Sequence, residues 1–246
     1  MKVLDAALSG RDNNLNLIRM LAASAVLVSH AYPIALGAGT PEPLSFLPGQ
    51  TLGHFAVAIF FGISGLLITR SFDRRRSTRQ FVAARVLRLY PGLLVALCIT
   101  VLFGLFVTTL PYAHYLRATE TISYVPRNMS LGLLQYSLPG VFYENPYGSA
   151  LNGSLWTLFY EVACYIAVMV IGFAGIIRKR LAFSLLFAVL AVLHLFANGQ
   201  SPDFARTYRL HQFVSLAFPF ALGTAAYVWR EQLPLSWPIA IALWTR

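Results

Sequence analysis

Arg19 and His30 stand eleven positions apart in an apolar run that begins near Leu15. On a helix turning about 100° per residue, that spacing is three turns plus roughly 20°, so both side chains share one face, about 16 Å apart along the axis. A charged side chain inside a spanning helix is costly, and it marks a cavity, a partner or a functional site. The pair offers a fixed cation at one end of the face and, at the other, an imidazole, the side chain most used as a general base. The plainer alternative is an arginine that snorkels to the membrane surface and a histidine hydrogen-bonded within the helix packing. Spacing alone leaves both open.

Glu161 is the acid set well inside a second apolar run, SLWTLFYEVACY. It is either a polar pin between helices or a group for proton transfer, or one that orients His30. Arg85 and Arg88 are three apart, hence neighbours on a helix face. They sit among Leu87, Leu89 and Tyr90, beyond the arginines that a membrane-flanking loop alone explains. Two guanidinium groups so placed are suited to gripping phosphate by forked, charge-assisted hydrogen bonds. Ser64, in FFGISGLLI, is read as a small residue for close helix packing rather than a nucleophile. His54 opens the second apolar run at its outer end, His114, His194 and His211 are read as structural, and Cys98 and Cys164 as unbridged fillers of apolar runs. There is no Walker-type loop, no metal-spaced ligand cluster and no GxSxG elbow. No metal site and no resident cofactor is expected.

The elements that position these residues are membrane helices. Of the 246 residues, 57% are hydrophobic and 11% charged, with a mean hydropathy of +0.64. A soluble domain carries about twice that share of charge. The net charge of +10 raises the question of nucleic acid, but seven arginines crowd between Arg70 and Arg88, flanked by apolar runs. That placement reads as a connection beside a bilayer and argues against a nucleic-acid partner. Crossing a hydrocarbon core of about 30 Å takes roughly 20 apolar residues. Runs of that kind occur at about 15–36, 54–72, 82–110, 153–177, 181–198 and 211–230, and a further run starts at about 235. The expected fold is an all-α polytopic transmembrane helical bundle of about six full spans plus a partial one. It forms a single membrane domain over 1–246, incomplete at its C-terminus.

Orientation follows the arginines. Segment 37–53 lacks Lys and Arg, whereas the next connection holds Arg70, Arg74, Arg75, Arg76, Arg79, Arg85 and Arg88. The N-terminus is therefore expected in the cytoplasm, 37–53 outside, 70–88 inside and 111–152 outside. Segment 128–142, short and broken by Pro139, is expected to be interfacial or re-entrant, which keeps Arg178, Lys179 and Arg180 inside. The first run is too long for a signal-peptide core and is read as a retained span.

NNLNLIRMLAASAVLVSHAY resembles the opening helix of the acyltransferase-3 family, in which an arginine, ten residues and a histidine form the signature. HFAVAIFFGISGLLITRSF is similar to that family's second helix, FVAARVLRLYPGLL to its R-x-x-R segment, NGSLWTLFYEVACY to its later motif with an embedded glutamate, and FALGTAAYVWRE fits as well. The resemblance implies a membrane O-acyltransferase of a bacterial-type inner membrane, which takes an acyl group, often acetyl from acetyl-CoA, to a hydroxyl of a surface or exported carbohydrate. It makes Arg19 and His30 the signature pair, Arg85 and Arg88 the R-x-x-R pair and Glu161 the embedded acid; the chemistry of those residues then makes His30 and Glu161 the candidate catalytic residues and Arg19, Arg85 and Arg88 the candidates for binding the acyl-CoA donor. It also implies about ten spans in a chain well past 300 residues. Asn16 replaces an aspartate common in the family, and Phe159 a proline common in the related subgroup, which leaves that helix less kinked. Two other functions fit the same residues: a transporter or flippase of a lipid-linked or acyl substrate, which also needs buried Arg, His and Glu, and a non-catalytic membrane scaffold.

Overall fold

The computed structural model describes residues 2–9, 14–47, 50–74, 77–199 and 208–235. In chain order the helices are α1 (Leu4–Ser9), α2 (Leu15–Leu36), α3 (Leu52–Arg74), α4 (Thr78–Val107), α5 (Tyr112–Arg117), α6 (Thr119–Met129), α7 (Trp156–Phe173), α8 (Arg180–Gly199) and α9 (Tyr208–Val228). A two-residue strand β1 (Lys2–Val3) pairs antiparallel with β2 (Pro234–Leu235). Among the described residues, five helical stretches are long and apolar enough to cross a membrane: Leu15–Leu36, Leu52–Arg74, Thr78–Val107, Gly153–Phe173 and Arg180–Ala197. Their surfaces expose Leu27, Leu87, Phe106, Leu195 and Phe196, a density of apolar groups that water does not tolerate and lipid does. Helix α9 covers the expected 211–230 run but is not among the five; His211, Gln212, Ser215, Gly223 and Thr224 dilute its apolar character. Arg75, Arg76 and nearly all of the run from 235 lie outside the described residues.

Boundaries follow local chemistry. After α7 the chain reaches Gly175 at φ +70°, a left-handed position that glycine takes without steric cost, and a 3-10 turn, Ile176–Arg178, leads to α8. Helix α4 stops at Val107 rather than 110 because Thr109 donates its N–H to Gly140 O at 2.9 Å and Thr108 Oγ1 donates to Pro139 O at 2.9 Å. Segment 128–142 is not a spanning helix: α6 ends at Met129 and the chain beyond is irregular.

The chain divides into two compact units. The first comprises residues 1–26, 54–74 and 164–246. Within it α3 and α9 cross at backbone contact. A Cβ added at Gly65 would meet Phe220 O at 1.9 Å, and one at Gly223 would meet Gly62 O at 1.8 Å. Beside that crossing, Thr69 Oγ1 donates to Thr224 Oγ1 at 3.1 Å. Helices α8 and α9 meet through aromatic rings, with Phe183 edge-on to Trp229 and Phe187 stacked on Phe218. At one end Tyr227 Oη donates to Asp73 Oδ2 at 2.9 Å and Arg178 pairs with Asp73 at 3.2 Å. There, too, the N-terminal segment is fastened to the end of α9. Arg230 Nε donates to Asp5 Oδ1 at 2.9 Å, Leu4 N–H donates to Leu233 O at 2.9 Å, and Leu8 is buried against Leu66 and Tyr227.

The second unit comprises residues 27–53 and 75–163. Its core is Leu93 and Leu97 of α4, Tyr115 of α5, Tyr124 of α6, and Leu131, Leu138 and Val141 of the irregular segment. Tyr115 is fully buried and donates its hydroxyl to Val101 O at 2.8 Å, lying where Gly104 has no side chain. Asn128, also fully buried, splices α6 to the irregular segment: its Nδ2 donates to Gln135 O at 3.0 Å, and its Oδ1 accepts from Gln135 N–H at 3.0 Å.

Candidate active site

Helix α2 is continuous from Leu15 to Leu36, so Arg19 and His30 keep the three-turn relation that their spacing implies. His30 is exposed and Arg19 half-buried. Pro33 lies inside the same helix. It has no N–H for the carbonyl four residues back, that of Ser29, and its ring crowds that carbonyl. The turn that carries His30 thus lacks one bond of the helix ladder.

At that turn Ser29 makes its side-chain contacts outside the helix. It is fully buried. Its Oγ accepts from the backbone N–H of Gly53 at 2.8 Å and donates to a carboxylate oxygen of Glu42. Ser24 on the same helix does the ordinary thing and donates to Met20 O, four residues back, at 3.1 Å. Glu42 is the one charged residue in 37–53. Neither Ser29 nor Glu42 is singled out by the sequence reading. The available signal was that lone acid, in PEP, within an otherwise uncharged connection.

Arg85 and Arg88 lie in the first half of α4. Thirty residues make a helix of about 45 Å, longer than a hydrocarbon core of about 30 Å, so the basic end can reach the membrane surface while the rest spans. Arg85 is half-buried, with its guanidinium carbon 5.7 Å from the centroid of Phe81, which is itself buried. Arg88 is exposed.

Glu161 is half-buried on α7, next to Tyr160, whose ring meets Trp156 edge-on at 5.7 Å. The start of α7 is anchored by Asn152, whose Nδ2 donates to Thr100 Oγ1 at 2.7 Å and to Tyr124 Oη at 3.3 Å. Burial pushes the Tyr124 phenol above its ordinary range, and the Asn152 contact opposes that rise. The Tyr115 phenol is raised as well, by burial first and by Tyr124 second. Both hydroxyls therefore remain protonated.

One core supports three of the five residues. The cluster around Leu97 packs Leu89 and Tyr90, neighbours of Arg85 and Arg88, and also Leu158 and Val162, which flank Glu161. His30, Arg85, Arg88 and Glu161 belong to the unit of residues 27–53 and 75–163, while Arg19 belongs to the other. Ser64 lies on α3 beside the glycine crossing. Cys98 is exposed, Cys164 is buried, and both are free. Among the described residues no three His, Cys, Asp or Glu side chains group as metal ligands.

Residues 12–245 match the family model described as an acyltransferase domain, acyltransferase 3. An O-acetyl transferase of Shigella phage Sf6 is 30% identical over 221 residues, 88% of this chain and 63% of that protein. Nodulation protein 10 of Rhizobium leguminosarum bv. viciae is 32% identical over 167 residues, 65% of this chain and 44% of that protein. The chain thus spans less than two thirds of the length of these relatives. No solved structure matches. With the model matching nearly end to end, and with the arginine, histidine, R-x-x-R pair and glutamate standing on the helices described above, the chain belongs to the acyltransferase-3 family.

Proposed function

We propose that this protein is an O-acyltransferase of a bacterial-type inner membrane that moves an acyl group, acetyl in the simplest case, from acyl-CoA to a hydroxyl of a carbohydrate or exported polysaccharide. The observation that carries the reading is the exposed imidazole of His30 on a spanning helix, in the same compact unit as the Arg85–Arg88 pair and Glu161. The similarity to a phage protein named an O-acetyl transferase supports acetyl as the group transferred.

The basic end of α4 is taken as the cytoplasmic donor side. There Arg85 and Arg88 hold the CoA phosphates through forked hydrogen bonds. Arg19, about 16 Å along α2 from His30, adds a cation at the donor end of that helix. The extended arm of the donor carries the thioester toward His30. His30 takes the proton of the acceptor hydroxyl as its oxygen attacks the thioester carbonyl. The carbon–sulfur bond then breaks, and the proton passes from the imidazolium to the departing thiolate. Glu161 is assigned to orienting His30 or to relaying its proton. The reaction leaves an O-ester and free CoA.

The test is to incubate membranes bearing the protein with acetyl-labelled acetyl-CoA and a polysaccharide acceptor. Alkali-labile label on the glycan, together with release of free thiol, is the expected outcome. Donor binding without transfer would overturn the enzymatic reading in favour of a scaffold, and movement of unmodified substrate across the membrane would favour a transporter.

A further inference from the structure

Three chain segments converge on one hydroxyl beside His30. Ser29 is fully buried, and its Oγ has one hydrogen to donate. Because Gly53 N–H donates to that oxygen at 2.8 Å, the hydroxyl hydrogen is left for the Glu42 carboxylate, a charge-assisted contact. The fit is close: a Cβ on Gly53 would lie 3.0 Å from Ser29 Oγ and 3.2 Å from Ser29 Cβ. Glu42 is itself fixed by its surroundings, since Leu52 N–H donates to Pro43 O at 2.8 Å and Ser45 N–H to Glu42 O at 3.0 Å. The far end of α2 is held as well, with Gly37 N–H donating to Pro33 O at 2.9 Å and Thr40 Oγ1 to Gly37 O at 2.8 Å.

The brace is set where the helix needs it. Pro33 deprives the Ser29 carbonyl of its helical partner, which loosens the turn Ser29–Pro33, and His30 stands in that turn. A reacting imidazole on a loose turn would sample many orientations, and a misplacement of about 1 Å can cost on the order of 100-fold in rate. We infer that Glu42, acting through Ser29, is a positioning residue that fixes the axial height and rotation of the His30 turn, with Gly53 as the backbone donor that completes the hold. This rests on His30 being the reacting base. It adds a carboxylate from the 37–53 connection that touches no substrate and acts on the helix. The geometry also explains why Ser29, unlike Ser24, does not bond back along its own helix.

The experiment compares Ser29→Ala, Glu42→Ala, Glu42→Gln and the Ser29→Ala/Glu42→Ala double variant in membranes, with rates normalised to inserted protein, alongside His30→Ala. Both single alanine variants are expected to lower kcat about 10- to 100-fold and leave KM for acetyl-CoA within about twofold, because the donor grip is elsewhere. The double variant is expected to match the worse single one, since one device has been removed twice. Glu42→Gln keeps an oxygen that accepts from Ser29 and should retain most of the rate. Hydrogen exchange over residues 29–36 should quicken in both alanine variants. Full kcat in Ser29→Ala and Glu42→Ala, with His30→Ala inactive, would overturn the inference. So would a Glu42→Gln enzyme as defective as Glu42→Ala, which would make the carboxylate a proton-transfer group. If His30→Ala stays active, the general-base reading fails instead. The brace then stands or falls on hydrogen exchange alone, and unchanged exchange over 29–36 overturns it.

Discussion

The side chain of Asn152 donates to Thr100 Oγ1 at 2.7 Å, across 52 residues of sequence. Asn152 has a left-handed backbone, φ +47°, which asparagine tolerates better than most residues. The same Nδ2 reaches Tyr124 Oη, so one amide fastens the start of α7 to both α4 and α6. Asn152→Ala loses the hydrogen bonds and strains the backbone, and should cost about 2–3 kcal/mol. Asn152→Gly keeps the backbone and loses only the hydrogen bonds, and should cost about 1 kcal/mol. Thermal unfolding of the detergent-solubilised protein orders the two; equal midpoints would show that the left-handed turn carries no cost.

At the α3–α9 crossing, Gly65 and Gly223 leave no room for a Cβ. Gly65→Val and Gly223→Val should each destabilise by at least about 1–3 kcal/mol, because backbone rather than a pliable side chain must move. Gly92, with nothing within 4 Å of a built Cβ, is the control, and Gly92→Ala should be neutral or slightly stabilising. The yield of folded monomer by size-exclusion fluorescence distinguishes them.

For the proposed donor grip, Arg85→Lys and Arg88→Lys keep the charge but lose the fork. Each should raise KM for acetyl-CoA about 10-fold and leave kcat within about threefold. Desulfo-CoA binding to purified protein, measured by calorimetry, should weaken in step. Unchanged donor affinity in both variants would remove these residues from the donor site.

Asp73 joins two contacts of unequal weight. Arg178 is 78% exposed, so its ion pair is screened and contributes little. Tyr227 is buried, and its hydroxyl donates to Asp73. Asp73→Asn keeps an acceptor and should cost under about 0.5 kcal/mol, whereas Tyr227→Phe removes the donor and should cost about 1 kcal/mol. The reverse order in thermal unfolding would make the ion pair the stronger tie.

Much of this architecture can be read from run length and charge. The run from Leu15 to Leu36 and the arginines around Arg79 specify helices and the connection between them, because lipid forces every backbone group into internal hydrogen bonds. What escapes such reading depends on side chains meeting across long separations. Segment 128–142 shows Pro139 and a short apolar run, but its path is set by Asn128 and Gln135 bonding to each other's groups and by Tyr115 entering the space above Gly104. The weak α9 signal has a comparable cause, since its small and hydroxyl residues serve the α3 crossing rather than lipid contact. Of the candidate site residues, Arg19, His30, Arg85, Arg88 and Glu161 are conspicuous as charges or bases in apolar runs. Ser29 is not, because a helical serine ordinarily bonds to its own helix and nothing local points it at Glu42.

The most direct test of the chemistry is acetyl transfer by His30→Ala. Wild-type and variant proteins are reconstituted in equal amounts into vesicles, given labelled acetyl-CoA and acceptor glycan, and followed for alkali-labile label on the glycan. Loss of transfer by at least about 1,000-fold, with insertion and desulfo-CoA binding intact, is the expected result for removal of a general base that also protonates the leaving thiolate. Transfer by the variant within about 10-fold of wild type would contradict His30 as the reacting base.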